Sequence, residues 1–461
     1  MIPITSNSLR IIGAGSKKDF NFSVKIKLFL WSLLFIPAAL NAQNVKQLSL
    51  QEAVDLGIAN SKNLKLSQQK IDEAVAKLAV VKDNALPSAT ASFMYNHAEI
   101  PTNTLKIGEG NPIQLPKRAD AFVGTAAVQE LVYGGGKLKY AQESTKLLKE
   151  IALLDADKNK EEVSYAVVNG YFSLYKLLQS KKVVAQNLTA IAKQLKQAQR
   201  FYEQGLVTKN DVLRFQLQQA NVSLTDLEIE NNRKIINYNL DILLGLAENT
   251  DIEIKEADAT LPQLNSLDEY LNTALATRQE LQQFSLQHKA ADYNIKSIKA
   301  NTRPTVGLGA NLYYVNPSGN FIPSNQQFIM PITLGATISW NIGSLWTNKN
   351  KVAEAKVQQL EIDTQKEIFT DNVKTELNRN YQNYQLAVQK INVLETSIAQ
   401  ATENDRLLES KYQNNIASAT DRIDAETLLY QAKINLELAK ADAQLAYYTL
   451  LKSTGKITKY N

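Results

Sequence analysis

The feature that most limits how this chain can fold is that it repeats itself. At an offset of 217 residues, Leu50-Gln-Glu-Ala-Val aligns with Leu267-Asp-Glu-Tyr-Leu, Leu64 with Leu281, and Pro87 with Pro304, without a gap. At an offset of 210, Val163 meets Val373, Tyr171 meets Tyr381, Tyr202 meets Tyr412, Asp211 meets Asp421, Leu240 meets Leu450 and Gly245 meets Gly455. Repetition on this scale means two copies of one supersecondary unit. The repeats run over 43–247 and 266–455. An acidic linker with Pro262 joins them at 248–265, and 456–461 forms a C-terminal tail.

Each copy has the order helix, strand, strand, long helix, tight turn, return helix. Expected helices cover 49–84, 137–203 and 206–246, then 266–301, 347–413 and 416–454. Ser49 with Glu52, and Ser266 with Glu269, have capping-box spacing at the first helix of each copy. Pro87 and Pro304 follow the ends of those helices, where proline cannot continue them. In the long helix, Val184, Leu188, Ile191, Leu195, Ala198 and Tyr202 alternate in steps of four and three. The copy repeats this with Ile391, Leu394, Ile398, Ala401, Leu408 and Tyr412, interrupted by polar Asp405. That is the seam of packed coiled-coil helices. Leu213, Leu217, Ala220, Leu224 and Leu227 give the return helix the same spacing. A helix over 137–203 is roughly 100 Å long at about 1.5 Å per residue, which suits a tube or stalk more than a globular core.

Strands are expected at 88–97 and 119–133, then at 305–314 and 331–341. In the second pair, Val306, Leu308, Ala310, Leu312 and Tyr314 alternate with small or polar residues, as do Ile332, Leu334, Ala336, Ile338 and Trp340. A period of two with one apolar face is strand geometry. Pattern alone leaves two settings open, a sheet half-buried on soluble helices or part of a membrane barrel.

Residues 1–42 read as a secretory signal peptide. Lys25 and Lys27 precede the apolar run Leu28–Leu40, and Ala42 offers a cleavage site. Residues 1–23 are more polar than a leader needs, so translation is expected to start near Val24. The leader holds five basic residues and one acidic residue, so most of the chain's net charge of +5 belongs to it. The near-neutral remainder argues against nucleic-acid binding. Past residue 43 no apolar run reaches the length of a membrane-spanning helix, so contact with a bilayer core would have to be made by strands.

Chemistry has little material here. There is no cysteine, and the two histidines are His97 and His288. No metal site, cofactor or catalytic residue is therefore expected. Gly134-Gly-Gly136 before a helix lacks the spacing of a phosphate-binding loop and reads as a strand-to-helix turn. Glu161-Glu162 reads as a charged, solvated helix face.

The doubled order, the strand end Val132-Tyr-Gly-Gly-Gly-Lys137 and the turn Arg200-Phe-Tyr-Glu-Gln-Gly-Leu-Val-Thr-Lys-Asn-Asp-Val-Leu213 resemble the TolC-like outer-membrane efflux protein family. The likeness covers about 44–455. It implies a mainly α fold with a β-barrel part: a homotrimer with a 12-stranded barrel in outer-membrane lipid, on a long periplasmic coiled-coil tube. It implies a passive, non-enzymatic export channel of the Gram-negative outer membrane. Its partners would be a periplasmic adaptor and an inner-membrane transporter. By the resemblance, Gly205, Leu206, Val207 and Thr208, with Asn415, Ile416, Ala417 and Ser418, form adaptor-docking tips. Asp421 and Asp424, with Asp211 and Tyr412, would constrict the periplasmic entrance. Family members also use an arginine to tie this constriction; Ala417 stands there, with Arg422 nearby as a substitute. The competing reading is a periplasmic coiled-coil adaptor, though adaptors carry one hairpin and this chain carries two.

Overall fold

The computed structural model describes residues 45–114, 117–255, 261–317 and 329–457. The expected signal peptide, most of the connection at 315–330 and the end of the tail lie outside the described residues. In chain order the elements are β1 (Val45–Leu48), α1 (Leu50–Asn60), α2 (Lys62–Asp83), β2 (Ser88–Glu99), β3 (Thr104–Leu105), β4 (Ile113–Gln114) and β5 (Arg118–Tyr133). Then come α3 (Lys137–Glu203), α4 (Lys209–Leu244), β6 (Asp251–Ile254), α5 (Leu267–Thr277) and α6 (Gln279–Ala300). The chain continues through β7 (Thr305–Pro317), β8 (Ile332–Ser339), α7 (Ser344–Gln413) and α8 (Ala419–Ser453).

The first helix of each repeat is broken, which the sequence reading missed. Ser61 adopts an extended backbone (φ −64°, ψ 118°), ends α1 and caps α2 by accepting the Leu64 N–H. Arg278 breaks the chain with the same extended backbone between α5 and α6 (φ −61°, ψ 124°), but its side chain does not cap α6. These positions correspond at the 217-residue offset. Arg278 is held by Glu280, two residues on, at 3.1 Å, and by Glu376, which only the fold brings near, at 2.8 Å. The capping box at Ser49 forms, but Ser266 caps one way only: it accepts the Glu269 N–H, while the Glu269 carboxylate accepts from Asn265.

The described part of the linker forms a strand. Its β6 pairs in parallel with β1, Val45 opposite Asp251, and the Pro262 carbonyl accepts from the Tyr384 hydroxyl at 2.7 Å. Tyr171 hydrogen-bonds the carbonyls of Leu48 and Lys255, tying the β1–β6 pair to α3. A core of Leu48, Val167, Phe172, Leu174, Leu244 and Ile252 gathers there. Glu161 is not on a solvated face: it is buried and accepts the Ile457 N–H at 2.6 Å.

The long helices pair as hairpins, α3 with α4 and α7 with α8, and α8 packs on α3. On α3 the seam is as spaced, with Val184, Ile191 and Ala198 fully buried. On α4 the seam is different from the expected one. Phe215, Val222, Ile229 and Ile236, at steady seven-residue steps, face the core. The stripe Leu213, Leu217, Leu224 and Leu227 points outward, each residue at least half exposed. Two apolar stripes run along this helix, and spacing alone does not say which one the same chain covers.

Strands β2, β5, β7 and β8 form one antiparallel sheet in that order. Register separates its faces. Tyr95 opposes Phe122, Val128 opposes Ala310, and Ala310 opposes Leu334, so these share one face. Ser92 opposes Thr125, Ala127 opposes Asn311, and Asn311 opposes Thr333 on the other. Among the described residues no helix covers the apolar face: Phe93 is 68 % exposed and Leu334 81 %. Both outer strands, β2 and β8, have an unpaired edge among the described residues.

Candidate functional site

The two turns far from the sheet are built alike, atom for atom where it matters. α3 ends with Gly205 in the left-handed region (φ 72°), and α7 with Asn415 there (φ 54°). Glycine has no Cβ to clash in that conformation, and asparagine is among the few side chains that tolerate it. The next N–H in each case turns back to the helix: Leu206 to the Phe201 carbonyl, and Ile416 to the Lys411 carbonyl, both at 2.8 Å. This satisfies carbonyls that the helix end leaves open.

Each return helix opens on a reciprocal cap. Thr208 accepts the Asp211 N–H, and the Asp211 carboxylate takes the Thr208 N–H at 2.8 Å and hydroxyl at 2.7 Å. Ser418 and Asp421 repeat this at 3.1 and 2.7 Å. The Ser418 hydroxyl and N–H hold the Asp421 carboxyl below its ordinary range. Asp211 and Asp421 thus have a structural task at the tips. Asp424, three residues on, is exposed on the same side of α8 as Asp421.

Between the caps, Leu206 and Ile416 stand out, 51 % and 74 % exposed. Val207 and Ala417 are half-buried beside them. The tips therefore offer two equivalent apolar points, each flanked by polar caps.

Tyr412 is buried behind the turns, its ring against Phe201 and Phe215 with centroids 6.0 and 5.8 Å apart. Its hydroxyl makes no hydrogen bond among the described residues. Burial, with the Asp211 charge nearby, raises its pKa. Its repeat counterpart Tyr202 is exposed, so the copies differ where the hairpins meet. Arg422 does not reach Asp211. It is buried and pairs with Asp405 of α7.

Residues that the sequence reading passed over lie just behind the tips. Glu426 is buried on α8 near Gln194 of α3. No signal marks it: its neighbours Asp421, Arg422 and Asp424 are charged, and only the three-helix packing selects Arg422 and Glu426 for burial.

Among the described residues no helix is long and apolar enough to cross a membrane, and no cluster of three acidic or histidine side chains is placed to hold a metal. No curated protein matches the chain. Its fold is similar to that of solved channels. The outer membrane protein VceC of Vibrio cholerae superposes with a TM-score of 0.71 at 16% identity, over 88% of this chain and 96% of that one. The CmeC outer membrane channel of Campylobacter jejuni gives 0.70 at 16%, over 88% and 85%. The MtrE outer membrane channel of Neisseria gonorrhoeae, solved in its open state, gives 0.66 at 15%, over 88% and 88%. The outer membrane efflux protein family model matches residues 53–246 and 270–456, one stretch in each repeat. With both halves of the chain accounted for by that model, the protein belongs to the outer membrane efflux protein family.

Proposed function

We propose that three copies of this chain form a passive export conduit: an outer-membrane barrel continued by a periplasmic helical tube, served by an inner-membrane transporter through an adaptor. The observation that carries the reading is the four-stranded sheet, with its bare apolar face and two unpaired edges. In water such a sheet aggregates, and in lipid an open edge is not tolerated. Three such sheets joined edge to edge supply twelve strands, an even number within the range of bacterial barrels. The apolar face then meets outer-membrane lipid, and the face with Ser92, Thr125, Asn311 and Thr333 lines the lumen.

The helices support the same assembly. The outward leucine stripe of α4 needs a partner, and α7 carries exposed Leu386, Val393 and Leu407 on heptad spacing. Stripe to stripe between successive copies is a head-to-tail contact, which closes into a ring. The tips at Gly205–Thr208 and Asn415–Ser418 are then the adaptor-facing end, and Asp421 with Asp424 lies at the entrance. Energy comes from the transporter. Nucleic acid has no place in this reading.

The test is to extract the tagged protein from outer membranes in mild detergent, measure its mass and identify what co-purifies. A trimer bound to an adaptor and a transporter is expected. A soluble monomer that needs no detergent would overturn the conduit and favour a periplasmic coiled-coil adaptor instead.

A further inference from the structure

Behind the second tip, α3, α7 and α8 line a half-open cavity of about 360 Å³. Glu426 of α8 lines it, only 7 % exposed, and neither carboxyl oxygen has a hydrogen-bond partner among the described residues. Three more buried polar atoms on its walls also lack one: Asn187 Nδ2, Gln194 Oε1 and the Tyr430 hydroxyl. An unpaired, ionised carboxylate is among the most costly groups to bury, and a neutral acid far less so.

The charges around it are mixed. α3 supplies Lys193, α7 supplies Asp405 and Glu409, α8 supplies Arg422 and Lys433, and α4 lines no part of the cavity. Arg422 is the buried cation, but its guanidinium is taken up by Asp405. The acids here are not placed to hold a metal ion. The ligand that this arrangement fits is a proton.

We propose that Glu426 is a proton-operated latch: protonated, it lets α8 seat on α3 behind the tip, and deprotonated, it drives that contact apart. Burial pushes its pKa from the ordinary 4.5 up to about 7; the Arg422 charge and the adjacent Gln194 amide oppose this in part, and the Asp405 and Glu409 charges add to it. The sign follows. The seated state binds the proton more tightly than the opened state, so opening grows as pH rises from about 4.5 to about 7 and levels off above.

The experiment is amide hydrogen exchange on the full-length, detergent-extracted protein from pH 5 to 8.5, corrected for the intrinsic rate, read on segments 183–198 and 419–433. In the wild type, opening of both segments should rise by about tenfold or more up to pH 7 and then hold steady. In Glu426→Gln, which keeps the shape and removes the titration, opening should stay at its low-pH level throughout. A flat wild-type profile, or an unchanged rise in Glu426→Gln, would overturn the latch. If Glu426→Gln fails to assemble, the wild-type profile decides by where the rise falls: it must be confined to segments 183–198 and 419–433, because the other buried acid raised into this range, Asp241 at about 6, sits on α4, and His97 and His288 sit on β2 and α6. The readout is helix protection, not transport, so the latch can fail while the conduit stands.

Discussion

Arg422 reaches from the first turn of α8 back across the hairpin to Asp405 of α7, and both side chains are largely buried, 5 % and 17 % exposed. The pair crosses the α7 seam at the residue that interrupts its apolar spacing. Breaking a buried pair on one side costs far more than replacing both members. Arg422→Met should therefore destabilise the second hairpin by about 3 kcal/mol, and adding Asp405→Leu should recover most of that. Local opening energies from hydrogen exchange over 400–430 measure both. Equal damage in the single and double variants would mean that the ion pair is not what matters.

The cap at Ser418 carries a pH dependence of its own. A depressed carboxyl lends stability above its ordinary pKa, near 3.8 for Asp421, and loses it as pH falls through the lowered value. The start of α8 should fray below about pH 3.8 in the wild type, and Asp421→Ala should be frayed at every pH. Replacing Ser418 with Ala costs about 1 kcal/mol by the usual worth of such caps.

Charge at the entrance is separable from capping. Asparagine keeps the cap geometry and removes the charge. The double variant Asp421→Asn, Asp424→Asn should lower cation preference in planar-bilayer recordings while leaving trimers intact. Unchanged selectivity removes these aspartates from the constriction.

The exposed apolar points at the tips are the next target. Leu206→Glu or Ile416→Glu should abolish export by blocking adaptor docking, with the protein still trimeric in the outer membrane. Normal export from both variants would place the docking surface elsewhere.

The two faces of the sheet make opposite predictions. Leu334→Arg puts a charge on the apolar face and should cost about 2–4 kcal/mol if that face meets mid-bilayer lipid. Assembled protein in the outer membrane should fall severalfold. Thr333→Arg, one residue away on the polar face, should assemble normally. Similar tolerance at both positions is the outcome that a water-soluble sheet would give.

Much of this architecture is legible from local pattern. The α3 seam through Val184, Ile191 and Ala198, the alternation through Leu308 and Leu334, and the left-handed turn residues Gly205 and Asn415 are each written within a few neighbours. What escaped depends on distant partners. The break at Arg278 is held by Glu376, 98 residues on. The inward stripe on α4 is chosen by Tyr412 and Ala198 packing on Phe215, not by its own spacing. At the tip, the sequence offers Arg422 near the position of the missing arginine, and the fold pairs it with Asp405, a partner its spacing does not announce. Glu426 carried no mark at all, because neutralising an acid by burial takes three helices.

The open edges of the sheet have a consequence for inheritance. A lone chain whose sheet has two unpaired edges has no stable resting place in a bilayer, so in a three-copy barrel assembly and insertion are coupled, and subunits do not trade places afterwards. A copy that folds but blocks the passage would then spoil every ring it joins. In a cell making equal amounts of sound and blocked chains, only about one ring in eight would be wholly sound. Such alleles would be dominant.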